Sequence, residues 1–373
     1  MRLDLQVPTA VHFGRGRLAE LGTRTAPLGR NALVVCGRNS ARRNGFLDVA
    51  LSTLDHAGVR ATVFDQVSAD PKSSEVDAAA ARAEAAGCTV IVGLGGGSAI
   101  DAAKAVAVGL RHGPSGPLVG RTLEPSGDPV PVVAVPTTAG SGAEVTRGAI
   151  ITDTARALKA GIRGDDLFPR IALIDPDLLR TLPPAVAAES GFDALAHAIE
   201  GYVARKASPI TRLYCEQALG ILGESLPSLV AGNHSEPVLD AMALAALYGG
   251  FSVANASTCL PHRVQQAMGS VSRLHISHGR GLAAVYPAWL SHAHPHAAPA
   301  LDRIGTLLGD TDVDAALTRL MTAVGVRAGL LEHGFTEDDL TTIANSVVGN
   351  IDNDPIPDAG HALVQTILAQ SLK

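Results

Sequence analysis

The first half of the chain alternates short apolar runs with longer mixed segments. Residues 32–35, 61–64, 89–93 and 130–135 read as strands, and residues 74–86, rich in Ala and Glu, as a helix. The turn after the first of these strands, residues 37–40, is polar and contains glycine; another helix is expected from about Ala99. Such alternation predicts a parallel sheet covered by helices. After a further strand at 171–174 and the pair Pro183-Pro184, strand signals fade. Residues 185–204, 210–231 and 238–256 repeat apolar positions at three- and four-residue spacing, the helix period. The pattern predicts an α/β domain over residues 1–182 and an all-α domain over 183–373, with no internal repeat.

Composition narrows the class. At 46% hydrophobic and 18% charged, the 373 residues suit a soluble globular protein. Only 3% are aromatic, so the core must be built from small aliphatic side chains. A formal charge of -6 without a basic stripe speaks against nucleic acid as a partner. Cys36, Cys88, Cys215 and Cys259 are scattered with no CxxC pair, which favours free thiols and a reducing cytoplasm. The N-terminal stretch lacks the apolar core of a signal peptide, and no uninterrupted apolar run is long enough for a membrane span.

Two strand-to-helix turns carry candidate binding chemistry. Gly95, Gly96, Gly97 and Ser98 would let a pyrophosphate approach a helix N-terminus, with Ser98 and Asp101 forming a capping box; a tight strand–helix turn would need the same glycines. The second turn, with Thr137, Thr138 and Ser141, follows another strand and offers hydroxyls for ribose or phosphate, or simply caps a helix. After residues 32–35 comes Gly37, then Arg38, Asn39, Ser40, Arg42 and Arg43. An acidic residue here would accept the adenosine ribose hydroxyls of NAD and repel a 2′-phosphate; its absence beside arginines predicts NADP(H) in preference to NAD(H).

In the second half Asp193 and His197 stand four residues apart, on one face of a helix, as half of a divalent-metal site or as a surface ion pair. His262 and His278 can complete four ligands, with His275 a rival to His278. His292, His294 and His296 form an HxHxH pattern whose Ala, Pro and Ser neighbours predict an exposed loop. Arg263 beside His262, and Arg147 after the second turn, could capture an anionic substrate group.

The order GGGSAIDAAKA, PTTAGSGAEVT, ALIDPDLL, LPP, GFDALAHAIEGY and two spaced histidines, together with VHFGRGRLAELG near the start, resembles the iron-containing alcohol dehydrogenases over nearly the whole chain. The resemblance implies a dehydroquinate-synthase-like architecture and Asp193, His197, His262 and His278 as ligands of Fe2+, with Zn2+ or Mn2+ as alternatives. It implies residues 95–98 as the pyrophosphate loop, Asp101 and Lys104 at the helix start, Thr137, Thr138 and Ser141 on the cofactor, and Lys159 near the nicotinamide ribose. Family members commonly carry another His four residues after the third ligand; here it is Gln266, which cannot titrate, so His275 becomes the candidate proton carrier. The segment around Arg263 resembles phosphonoacetaldehyde reductases, which implies a small polar, anionic aldehyde and its alcohol as substrates. A homodimer follows from the family. A metal- and NAD-dependent lyase of the dehydroquinate synthase type is the alternative.

Overall fold

The computed structural model describes residues 3–373. Contacts divide them into two compact units, one comprising Val7–Thr138 with Ala143–Leu182, the other Pro183–Lys373 with Ala139–Gly142 and the segment ending at Gln6. The chain therefore changes unit after Gln6 and on either side of residues 139–142, as well as near residue 182.

The first unit is built on strands β1 (Ala10–Phe13), β2 (Asn31–Gly37), β3 (Arg60–Val67), β4 (Val90–Gly95), β5 (Val132–Pro136) and β8 (Ile171–Ile174), all parallel in the order β1-β8-β5-β4-β2-β3. Both faces of the sheet are covered, which is why its strands are continuous apolar runs and not alternating ones. Leu33 and Val35 pack with helices α2 (Ser73–Ala85) and α3 (Gly97–His112) on one face; Ala32, Val34 and Cys36 pack with α1 (Phe46–His56) on the other. The remaining strands, β6 (Gly148–Asp153) and β7 (Leu158–Arg163), form a separate antiparallel hairpin. Chain order reverses between β2 and β4, so their carboxyl ends meet at the switch point where open α/β sheets bind ligands, Cys36 lying opposite Leu94.

The second unit is helical: α4 (Pro184–Val203), α5 (Pro209–Val230), α6 (Glu236–Ala256), α7 (Leu260–Ala267), α8 (His278–Leu307), α9 (Val313–Val324), α10 (Glu337–Asn345) and α11 (His361–Gln370). Helix α4 is its axis, buried on every side from Gly191 to Val203. Small residues permit this: a Cβ on Gly191 would meet Leu226 of α5 at 2.1 Å, and one on Gly201 would meet Ser252 of α6 at 2.0 Å. By length and composition α6 could cross a membrane, but half of its most apolar stretch is buried and it packs on α4 and α5. The inserted residues 139–142 are equally constrained, since a Cβ on Gly140 would strike the Ser190 backbone and one on Gly142 the Gly250 backbone.

Candidate metal and cofactor sites

Helix α4 presents Asp193, His197 and Glu200 on one face, at spacings of four and three residues. His262 comes from the first turn of α7, and His278 opens α8 after Ser277. The three imidazole Nε2 atoms converge on one carboxylate oxygen: Asp193 Oδ1 lies 3.5 Å from His197, 3.4 Å from His262 and 3.3 Å from His278. Ligand atoms of Asp193, His262 and His278 all fall within 4.8 Å of one another. His197 lies outside that trio but stacks on the His262 ring, centroids 4.7 Å apart.

These residues fit a divalent cation. Asp193 Oδ1 and His262 Nε2 are both buried, yet neither makes a hydrogen bond. Buried polar atoms are seldom left so; a positive charge at the point they share, whether proton or metal ion, would satisfy both. The electrostatics agree. Burial opposes ionisation of Asp193, but the surrounding imidazoles hold it well below the ordinary carboxylate range. Burial pushes His197 down to about 4. It opposes charge on His262 too, but Glu200 and Asp193 overrule it and raise that ring to about 9.

Of the other predicted residues in this unit, Gln266 sits one turn beyond His262, buried, and accepts from Arg263 Nη1 at 3.1 Å. Arg263 is buried as well, and its Nη2 donates to Thr258 Oγ1 at 2.7 Å. His275 is exposed and outside the convergent set. His292, His294 and His296 are not on a loop as expected. They lie in α8, where Pro295 and Pro299 are accommodated by non-helical dihedrals at Ala297, and His292 and His294 engage Gln370 and Asp302.

In the sheet unit the glycine turn has the expected close backbone approach. Gly95 has φ +152°, and a Cβ there would meet Ala99 at 2.8 Å; one on Gly96 would meet Thr138 at 3.2 Å. Thr137 N donates to Gly95 O, tying the two turns together. The capping box, however, does not form. Gly96 is the N-cap of α3, which begins at Gly97. Ser98 Oγ instead donates to Ala69 O, and Asp101 accepts from Ile150 N at 2.9 Å, clamping α3 to the hairpin. No side chain caps the first turn of α3, while Ala99 N donates back to Gly96 O at 3.0 Å. Lys104, fully buried, donates to Ala143 O and Thr146 Oγ1 beneath the second turn; burial lowers its pKa and raises that of neighbouring Glu144 to about 7.

Lys159 is on β7 and pairs with Asp70 at 2.5 Å. Arg147 is exposed and pairs with Asp165 at 3.4 Å, a surface ion pair in the sheet unit. Beyond Gly37, Asn39 precedes a single helical turn, Ser40–Arg43. Arg38 pairs with Glu75 and Arg42 with Asp65, while Arg43 is exposed with no ion-pair partner among the described residues. A Cβ on Gly37 would have a single neighbour, Val67 O at 3.7 Å. All four cysteines are free, and burial raises Cys36 to about 11.

Sequence comparison agrees with this geometry across both units. Residues 8–176 match the iron-containing alcohol dehydrogenase family, and residues 187–372 match the C-terminal part of the Fe-containing alcohol dehydrogenase family. The chain belongs to the iron-containing alcohol dehydrogenase family. This dehydrogenase is 30% identical to the NAD-dependent methanol dehydrogenase of Bacillus methanolicus, over 92% of this chain and 93% of that protein. It is 32% identical to the NADPH-dependent butanol dehydrogenase of Clostridium saccharobutylicum, over 75% and 70%. Among solved structures, an archaeal halo-thermophilic alcohol dehydrogenase from a Red Sea brine pool superimposes with TM-score 0.94 at 26% identity, covering 100% of both chains. The sulfoacetaldehyde reductase of Bifidobacterium kashiwanohense, in complex with NAD+, superimposes with TM-score 0.87 at 27% identity over 100% and 99%. The lyase alternative is not favoured by these relatives.

Sequence reading had missed Glu200 and Gln265 as partners of the metal-site histidines. For Glu200 the signal was present, since residues 193, 197 and 200 share one helical face; for Gln265 there was none, because its contact with His278 spans two helices.

Proposed function

We propose that this dehydrogenase holds one divalent ion, iron in preference to zinc or manganese, through Asp193, His197, His262 and His278. With NADP(H) in preference to NAD(H), it interconverts a small carboxylate- or phosphonate-bearing aldehyde and its alcohol. The observation that carries the reading is the convergence of three imidazole nitrogens on the unpartnered Asp193 oxygen. One carboxylate with imidazoles accepts several first-row ions, so iron rests on the family. When bound, the ion polarises the substrate oxygen and the nicotinamide gives or takes the hydride.

The chain's own residues have separable tasks. Residues 95–98 and the open N-terminus of α3 take the pyrophosphate, with Thr137, Thr138 and Ser141 on the neighbouring turn. Asp101 and Lys104 hold the turns in register. Lys159, steadied by Asp70, faces the ribose. Gly37, Asn39, Ser40 and Arg43 receive the adenosine 2′-phosphate, with Arg38 held beside them by Glu75. Arg263 selects an anionic substrate group from its buried seat beside His262, and Arg147, paired with Asp165, is the second candidate for that role. Gln266 can position but not carry a proton, which leaves His275 as the proton carrier. The butanol dehydrogenase, named as NADPH-dependent, supports the cofactor reading. The sulfoacetaldehyde reductase supports an anionic aldehyde but, being bound to NAD+, not NADP. A homodimer in a reducing cytoplasm completes the proposal, the dimer resting on the family and the compartment on the four free thiols.

The test is metal content of the purified protein together with turnover of NADPH and NADH over a panel of aldehydes. About one ion per chain and a preference for anionic aldehydes are expected. Full turnover without metal, or a strong preference for long neutral aliphatic aldehydes, would overturn the reading.

A further inference from the structure

An imidazole can ligate through Nε2 only when that nitrogen carries no proton, and its tautomer is fixed by what Nδ1 meets. His262 Nδ1 lies 2.7 Å from Glu200 Oε1. Glu200 is wholly buried, its Oε2 accepts from Cys259 N at 2.7 Å, and Tyr286 donates to Oε1 at 3.4 Å. The two other contacts, from Cys259 N and the Tyr286 hydroxyl, both donate to Glu200, so its carboxyl group is the acceptor and the proton shared with His262 is assigned to Nδ1. His278 Nδ1 meets Gln265 Oε1, again an acceptor. Gln265 is itself buried and held in place by Gly281, where a Cβ would come within 2.9 Å of its Cγ. The two rings are therefore set alike, one by an anion and one by a neutral amide.

We propose that Glu200 and Gln265 are the positioning residues of this metal site, locking His262 and His278 in the Nδ1–H tautomer with Nε2 turned toward Asp193. This rests on the metal reading above. The site carries one outer carboxylate, not two, so the two contributions are separable. In Glu200→Gln the amide must turn its NH2 group either to His262 Nδ1 or to the Cys259 N–H. The first choice drives the proton to Nε2 and the second sets donor against donor. In Gln265→Met the acceptor is lost at similar volume, while Gln265→Glu restores it.

The experiment measures Zn2+ affinity by competition with a chelator, and in parallel the thermal unfolding of the metal-free proteins. Gln265→Met should weaken Zn2+ binding about 10- to 100-fold while the metal-free unfolding temperature stays at the parent value. Gln265→Glu should recover parent affinity. Glu200→Gln should weaken binding at least as much as Gln265→Met. Parent affinity in both Gln265→Met and Glu200→Gln would overturn the proposal. So would losses that follow a fall in metal-free stability and are not rescued by Gln265→Glu. A parent protein that binds no Zn2+ or other divalent ion would refute the metal reading itself, a result distinct from either.

Discussion

Replacing Gly37 by Asp should erase or reverse a preference for NADPH. The substitution is sterically open, since the new Cβ has only Val67 O near it, at 3.7 Å, and Gly37 ends β2 where its carboxyl end adjoins that of β4. From sequence alone three guanidinium groups could have met a 2′-phosphate. The structure reduces that number, because Arg38 is paired with Glu75 at 3.3 Å and Arg42 with Asp65 at 2.7 Å, leaving Arg43. One charge-assisted contact is worth roughly 1.5–3 kcal/mol, so the parent preference should be about 10- to 150-fold. A carboxylate roughly 6 Å from a phosphate adds about 0.7 kcal/mol of repulsion per unit charge at the dielectric of water. With a phosphate charge near -2 this takes back roughly tenfold. The new carboxylate also offers NADH an acceptor for its ribose hydroxyls. The assay is kcat/KM for each cofactor with one good aldehyde, in parent and variant at equal ionic strength. Equal values in the parent, or a ratio unmoved by Gly37→Asp, would refute the reasoning.

Arg263→Lys should lower kcat/KM for anionic aldehydes by about 10- to 100-fold, since an ammonium cannot reproduce a guanidinium's paired contacts, and leave neutral aldehydes nearly unchanged. Equal losses for both would mean that Arg263 serves the packing of α7 through Gln266 and Thr258. Glu144 predicts a pH dependence of stability in the sheet unit. Burial moves it from 4.5 to about 7. Below 4.5 folded and unfolded chains both hold the proton, whereas between 4.5 and 7 only the folded chain does, so stability falls with rising pH and levels off above 7. At 1.36 kcal/mol per pH unit the full change is roughly 3 kcal/mol. Denaturant midpoints of Glu144→Gln should lose this slope; an unaltered slope would place its origin elsewhere.

The central strands were legible because a sheet buried on both faces leaves unbroken apolar runs, and β8 was read to the residue at 171–174. The edge strand β1 was not, being short and interrupted by His12. Nor was the hairpin β6–β7, whose connection has no Asn-Gly or Asp-Gly signal. Ala157 takes the positive φ itself, and Asp153 shapes the turn by accepting from Ala155 N and from Arg156. The spacing of Asp193 and His197 announced a shared face, but only tertiary structure could bring His262 and His278 to the same oxygen. The Ser98–Asp101 spacing suggested a cap, yet both side chains serve distant backbone groups, a competition that local pattern does not register. Ala, Pro and Ser around His292, His294 and His296 suggest a loop, but the segment is helical, with non-helical dihedrals at Ala297 between Pro295 and Pro299.

The interleaving of the two units along the chain bears on how this protein can be made and dissected. A ribosome releases the last strand of the sheet unit before any helix of the other has been synthesised, so residues 139–142 emerge long before Ser190 and Gly250, the backbones they fit against. The helical unit cannot be completed by one contiguous stretch. A fragment cut at residue 183 lacks both that insert and Gln6, whose N–H is received by Asn255 at 2.7 Å. Supplying the missing piece in trans would require a peptide spanning residues 139–142, and a circular permutant opened near residue 182 would keep every such pairing intact.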